Sequence, residues 1–249
     1  MKKIIFLSLV LPLLIFSCEI SPRAYFSASP ADPVVGEDVW FTNESENVSS
    51  FEWDFGDGTI SNEANPIHRY TSTGAFTVSL KVWSGSGLTD EASLSLNVKI
   101  PTLLEVEVLE YYDEYPVEGA SVILYRTLTD WEKETHSVSE GFTDSEGKTV
   151  FAGLNNIVYY LDVWEKNHDN YALKAEDIGF IRTSEIIPNK INRFIAYVDY
   201  VDHGKGTARK DAAVVIKKLV RKPEDKKQPE ASSDTTGWQE LYAKRAGKK

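Results

Sequence analysis

Few residues in this 249-residue chain are of kinds that carry out chemistry. One Cys and four His leave little material for a metal centre built on soft ligands, and a single Cys cannot form a disulfide within the chain. Asp54 and Asp57 are near enough in sequence to suggest a carboxylate pair or a calcium site. Both sit in Asp54-Phe55-Gly56-Asp57-Gly58, where short acidic side chains bond nearby backbone amides, so they read as turn formers. His68 reads as a packed side chain and not as a ligand. Gly204-Lys205-Gly206-Thr207 has the flavour of a phosphate loop but lacks the GxxxxGKS/T spacing between a strand and a helix, and reads as a turn. HExxH, GxSxG, a cysteine nucleophile and a Gly-rich nucleotide loop are all absent from the sequence. The expectation is a protein that is not an enzyme, with no catalytic residue, no metal and no cofactor beyond an acyl lipid; calcium is possible but has no support.

Charge is distributed unevenly along the chain. Of the net −11, residues 201–249 contribute +6 (13 basic against 7 acidic) and Lys2 and Lys3 contribute +2, leaving −19 on residues 19–200. An acidic body repels phosphate backbones and anionic head groups, so nucleic acid is excluded as its partner.

The N-terminus begins with Lys2-Lys3 and continues with an apolar stretch from Ile4 to Phe16. That stretch is too short to cross a bilayer core as a helix, which needs roughly 20 residues. It reads as a secretory signal over residues 1–17. Ile15-Phe16-Ser17-Cys18 then resembles a bacterial lipobox, with a branched residue at −3, a small residue at −1 and the Cys that receives diacylglycerol. The resemblance implies lipidation at Cys18, a lipidated leader over residues 18–23, and a membrane partner reached through acyl chains. The implied location is the cell envelope, at the outer membrane or cell surface.

Between Gly, Asn, Asp and Pro clusters, four short runs read as strands: Val39 to Phe41, Phe51 to Phe55, Phe76 to Val82, and Leu94 to Val98. Phe76, Val78, Leu80 and Val82 alternate with Thr77, Ser79, Lys81 and Trp83, the pattern of a half-buried strand. An antiparallel β-sandwich over residues 24–99 follows. Trp53-Asp54-Phe55-Gly56-Asp57-Gly58-Thr59, with Asn65-Pro66, His68, Tyr70, Gly74 and Phe76-Thr77-Val78, resembles the polycystic-kidney-disease (PKD) repeat. That resemblance implies an immunoglobulin-like sandwich and a non-catalytic module that spaces, adheres, or binds glycans and proteins.

After Pro101-Thr102 the β pattern resumes over residues 101–222. Leu104, Val106 and Val108 alternate with Glu105 and Glu107, and Val122, Leu124, Tyr159, Leu161 and Val163 follow. Pro116 to Val122 and Thr143 to Phe151 are similar to the transthyretin-like sandwiches of carboxypeptidase regulatory-like and Cna-B-like modules. Cna-B-like modules often carry a Lys–Asn isopeptide, but the first strand here offers Glu105 and Glu107 and no Lys. Residues 164–192 read as an elaborated loop. Phe194 to Val198 and Ala213 to Ile216 read as two last strands.

Residues 223–249 are polar enough to be expected disordered, apart from a brief helical pattern from Trp238 to Ala246. Asp234-Thr235-Thr236 resembles the O-glycosylation acceptor of Bacteroidetes envelope proteins. The fold class is therefore all-β, two tandem immunoglobulin-like sandwiches between a lipoprotein signal peptide and a disordered tail. The expected function is a membrane-anchored, non-catalytic envelope module that binds glycan or protein. Alternatives are a structural spacer or assembly subunit, and an accessory protein of a secreted hydrolase. Trp83, on the outward parity of its strand, Trp131, beside Glu132-Lys133-Glu134, and Trp164 are the residues expected to stack on sugar.

Overall fold

The computed structural model describes residues 20–175, 177–202, 214–215, 226–232 and 234–245. Cys18, the lipobox and the Gly204–Thr207 turn lie outside them. The chain divides into two units between Val98 and Lys99. The architecture is all-β.

Among the described residues the first unit has seven strands: β1 (Phe26–Ser29), β2 (Val39–Asn43), β3 (Ser50–Asp54), β4 (Ile60–Ser61), β5 (Ile67–His68), β6 (Gly74–Trp83) and β7 (Thr89–Val98). They make two antiparallel sheets, β1-β2-β5 and β4-β3-β6-β7. Side chains alternate across each strand, so Val78, Leu80 and Val82 are buried while Lys81 faces solvent. Trp53 fills the space between the sheets, its ring centre 5.0 Å from Phe26 and 5.6 Å from Phe41. Its indole N–H donates to the Glu63 carbonyl at 2.9 Å.

The Asp-Gly turn after β3 is fixed by sterics and by carboxylates. Gly56 has φ of +78°, and a Cβ there would stand 2.5 Å from the Thr77 carbonyl oxygen, so no other residue fits. Asp54 accepts from the Gly56 N–H, and Asp57 accepts from both the N–H and the hydroxyl of Thr59. Both aspartates are thus turn formers. Asp57 also contacts His68 at 2.8 Å, and the His68 ring stacks on Phe55 at 4.2 Å. Burial works against ionisation of Asp57, but the Thr59 and His68 hydrogen bonds outweigh it and hold the carboxyl below its ordinary value. Tyr70 closes the corner by donating to the Phe55 carbonyl at 3.0 Å.

The second unit begins with β8 (Leu103–Glu110) and β9 (Ser121–Tyr125), then helix α1 (Leu128–Lys133) and β10 (Ser139–Phe142). It continues through β11 (Lys148–Ala152), β12 (Tyr160–Glu165), β13 (His168–Asp169), β14 (Ile191–Asp202) and β15 (Val214–Val215), and ends in helix α2 (Trp238–Lys244). The strand path runs β10-β9-β12-β13-β14-β8-β11, with β15 paired to β14. Long β14 joins the two layers, running parallel to β8 over Ile191–Val198 and antiparallel to β13 at Asp199 and Tyr200. The layers enclose one core that includes Leu104, Val106, Val122, Leu161, Phe194 and Ala196. At the turn before β11, Gly147 (φ +72°) lies so close to β8 that a Cβ would stand 2.7 Å from the Val108 carbonyl oxygen.

Segments that looked peripheral in the sequence cover the outer faces of this sandwich. Residues 164–192 contain β13 and two short 3-10 turns, and Leu173 and Phe180 from these turns pack with Tyr111 and Tyr197 in a second cluster. Helix α1 places Trp131 with Tyr125 and Ile181 in a third.

The tail departs from the expectation of disorder over its described residues. The Gln228 side chain donates to the Ile195 carbonyl and accepts from its N–H, both at 2.9 Å, and the Ser232 N–H donates to the Ile191 carbonyl at 3.1 Å. Helix α2 then buries Trp238 to 6% exposure. Polar composition argues against a segment folding by itself; this one uses strand edges and a surface that the second unit already provides.

Candidate functional site

The three tryptophans expected to stack on sugar have different fates. Trp131 is fully buried. Thr127 caps α1, accepting from the Asp130 N–H at 3.0 Å, and the resulting turn directs the indole inward. Its N–H donates to the Leu161 carbonyl at 2.8 Å, and its ring stacks on Tyr171 at 5.5 Å with planes 6° apart. Trp131 is a packing residue, and the expectation that it stacks on sugar is corrected. Trp164 sits on the outward parity of β12, 40% exposed, opposite Ser121 and Asp169.

Trp83 is half-buried at the end of β6, opposite Ser50 and Thr89. It borders an open concavity of about 640 Å³ with Glu52, Asn62, Ser84 and Gly85 on its walls. The Lys81 ammonium lies over the indole, 5.3 Å from its centre. Trp83 and Trp164 belong to different units.

The most exposed of the six tryptophans is not among the three expected to stack on sugar. Trp40 is 52% exposed on β2. It faces Ser29 of β1 on one side and Ile67 of β5, itself 57% exposed, on the other. The next rung towards the other end of this face pairs Ser27 with Thr42. Beyond it, Tyr25, 54% exposed, accepts from the Glu44 N–H at 2.9 Å. Glu44 in turn accepts from the Ser27 hydroxyl at 2.7 Å. A hollow of about 260 Å³ lies between Arg23, Tyr25, Glu44 and Glu46.

The β1-β2 face and its flank thus present Trp40 at one end and Tyr25 at the other, with the Ser27 and Thr42 hydroxyls between and the Glu44 carboxylate beside Tyr25. Four residues of strand separate Tyr25 from Ser29, about 13 Å, and Trp40 lies one strand spacing of about 4.8 Å across. Val39-Trp40-Phe41 is a continuous apolar run in which the outward residue is not visible from composition. Strand parity set by buried Phe41 was the signal that could have found it.

Among the described residues no group of three or more His, Cys, Asp or Glu is arranged to hold a metal ion. No helix among them is long and apolar enough to cross a membrane.

Residues 28–100 match the family model for the PKD domain. Collagenase ColA of Bacillus cereus is 37% identical over 161 residues, covering 60% of this chain and 16% of the collagenase. Collagenase ColA of Clostridium perfringens is 35% identical over 170 residues, covering 62% of this chain and 15% of that protein. The PKD1 domain of the Vibrio cholerae metalloprotease PrtV is 35% identical, with 32% of this chain and 98% of that domain aligned and a TM-score of 0.29. The chain therefore spans about a sixth of the length of the collagenases it matches. Residues 28–100, with their Trp53–Thr59 turn and Tyr70 corner, are a PKD domain.

Proposed function

We propose that this chain is a non-catalytic binding module of the cell envelope, lipid-anchored at Cys18, whose PKD domain holds an extended glycan on the face bearing Trp40. The observation that carries the reading is that face, on which exposed Trp40 and Tyr25 flank the Ser27 and Thr42 side chains, with Glu44 beside Tyr25. Sugar rings stack on aromatic faces through their C–H surfaces, while hydroxyls and carboxylates bond the ring hydroxyls, and an extended strand face suits a polymer. The Trp83 concavity offers a second aromatic with polar neighbours. The reading needs no cofactor beyond the acyl lipid. The test of the ligand is affinity electrophoresis of the full chain through gels containing soluble polysaccharides, with Trp40→Ala and Trp83→Ala alongside wild type. Retardation that Trp40→Ala removes supports the reading; no retardation by any polysaccharide refutes it. For the anchor, Cys18→Ala should move the protein from membranes to the soluble fraction and abolish labelling by radioactive palmitate.

A second reading, an accessory module that brings a secreted hydrolase to a protein fibre, is favoured by the collagenase relatives. Co-sedimentation with insoluble collagen, unaffected by competing polysaccharide, would select it over the first.

A further inference from the structure

In the second unit, a lysine ammonium is enclosed by aromatic rings and a carboxylate. The Lys226 ammonium lies 5.0 Å from the ring centre of Tyr111 and 4.9 Å from that of Tyr197, and forms an ion pair with Glu114. Its side chain is 13% exposed. Cations are drawn to aromatic faces by the ring quadrupole, more strongly where water is excluded.

The walls of this enclosure also pack against one another. Tyr111 and Tyr197 are buried and meet edge-to-face at 5.8 Å, and Phe180 contacts them edge-to-face at 5.6 and 6.1 Å. Leu173 packs in the same cluster. The carboxylate is positioned by the turn after β8. Buried Glu110 accepts from the N–H groups of Tyr112 and Asp113 at 2.9 and 2.6 Å, and the Glu114 N–H donates to the Glu110 carbonyl at 3.0 Å. Glu114 itself adopts φ of +55°, a left-handed conformation that non-glycine residues seldom take. The surrounding hydrogen bonds hold it there, and so its side chain reaches Lys226.

We propose that Tyr111, Tyr197 and Glu114 form a receptor for the alkylammonium group of a lysine side chain, occupied in this structure by the chain's own Lys226. The ligand class is a primary ammonium on a flexible alkyl stem, as carried by a lysine-containing peptide. Self-occupancy keeps the receptor closed, because a tethered lysine competes at high effective concentration. It also guides the following residues onto β14, where Gln228 and Ser232 bond the outward edge at Ile195 and Ile191. Among the described residues Lys226 thereby belongs to a segment that covers a strand edge, and an ammonium supplied in trans would take its place.

The test uses the full chain with ¹³C-labelled tyrosine rings, in wild-type and Lys226→Ala forms, titrated with n-butylammonium as the probe. Tyr111→Phe and Tyr197→Phe assign the two ring signals, and slow amide exchange at Val106 and Val122 reports that each variant is folded. Lys226→Ala is expected to bind the probe with saturable shifts of both rings, about tenfold or more tighter than wild type. Adding Glu114→Gln to Lys226→Ala should weaken that binding. Should Lys226→Ala lose its slow amides, Lys226→Gln serves in its place. Binding no tighter than in wild type, or binding that survives Tyr197→Ala in the Lys226→Ala background, would overturn the proposal.

Discussion

Replacing Trp131 by Ala separates packing from ligand stacking. The indole is fully buried against Tyr125 and Ile181, stacks on Tyr171, lies 5.3 Å from the Lys174 ammonium, and bonds the Leu161 carbonyl. Truncating a buried Trp costs about 3–5 kcal/mol through lost transfer energy and the residual cavity. The upper part of that range is favoured by the rigid strands beneath, which cannot collapse into the space. The lower part is favoured by Asn170, whose amide N–H also donates to the Leu161 carbonyl and keeps it bonded after the indole is gone. For a unit of this size each kcal/mol shifts the midpoint by about 2–4 °C, so Trp131→Ala should lower the Tm of the second unit by roughly 6–20 °C. Scanning calorimetry of the full chain resolves this if the PKD transition stays in place, and glycan retardation should be unchanged. A Tm shift below about 2 °C, or lost retardation with an unchanged Tm, would refute the buried placement.

Other perturbations test the remaining structure. Gly56→Ala forces a Cβ against the Thr77 carbonyl in a left-handed conformation that costs roughly 1–2 kcal/mol even without the clash. Urea unfolding of the PKD domain should therefore show a loss of at least about 2 kcal/mol. The Asp57 carboxyl is held below its ordinary value of 3.8, so its stabilising contribution is complete above that pH and is lost as the pH falls towards the lowered value in the folded state. Asp57→Asn should flatten the acid limb of the PKD Tm profile below pH 3.8, measured by circular dichroism. Trp238→Ala removes an anchor whose burial contributes about 1.5–3 kcal/mol, and limited trypsinolysis should then cut at Lys244 and Arg245 sooner than in wild type.

The PKD domain was readable in the sequence because its determinants are local. Gly56 and Gly58 dictate the turn, Asp54 and Asp57 bond amides two residues away, and the alternation in β6 names its own inward face. Trp131 was misread because Glu132-Lys133-Glu134 looks like solvent-exposed loop. The Thr127–Asp130 cap that closes a six-residue helix is a small signal beside those charges. The tail was misread for a different reason. Its order depends on an exposed edge of β14 and on the tyrosines around Lys226, which adopt that arrangement only after strands far apart in sequence have paired. The same holds for Leu173 and Phe180, whose spacing follows neither a helical nor a strand period because they pack from irregular chain.

The Trp40 face is the basis for assigning a binding role to this chain, and one quantity tests it most directly: the affinity of the full chain for a retained polysaccharide with and without the Trp40 indole. Trp40→Ala alters an exposed side chain, an effect within about 0.5 kcal/mol, and should leave the PKD Tm within about 4 °C. An aromatic stack contributes roughly 0.5–1.5 kcal/mol beyond its buried area, so the dissociation constant from affinity electrophoresis should rise by about two- to thirteenfold. Wild-type affinity in Trp40→Ala, with the fold intact, would contradict glycan binding at this face.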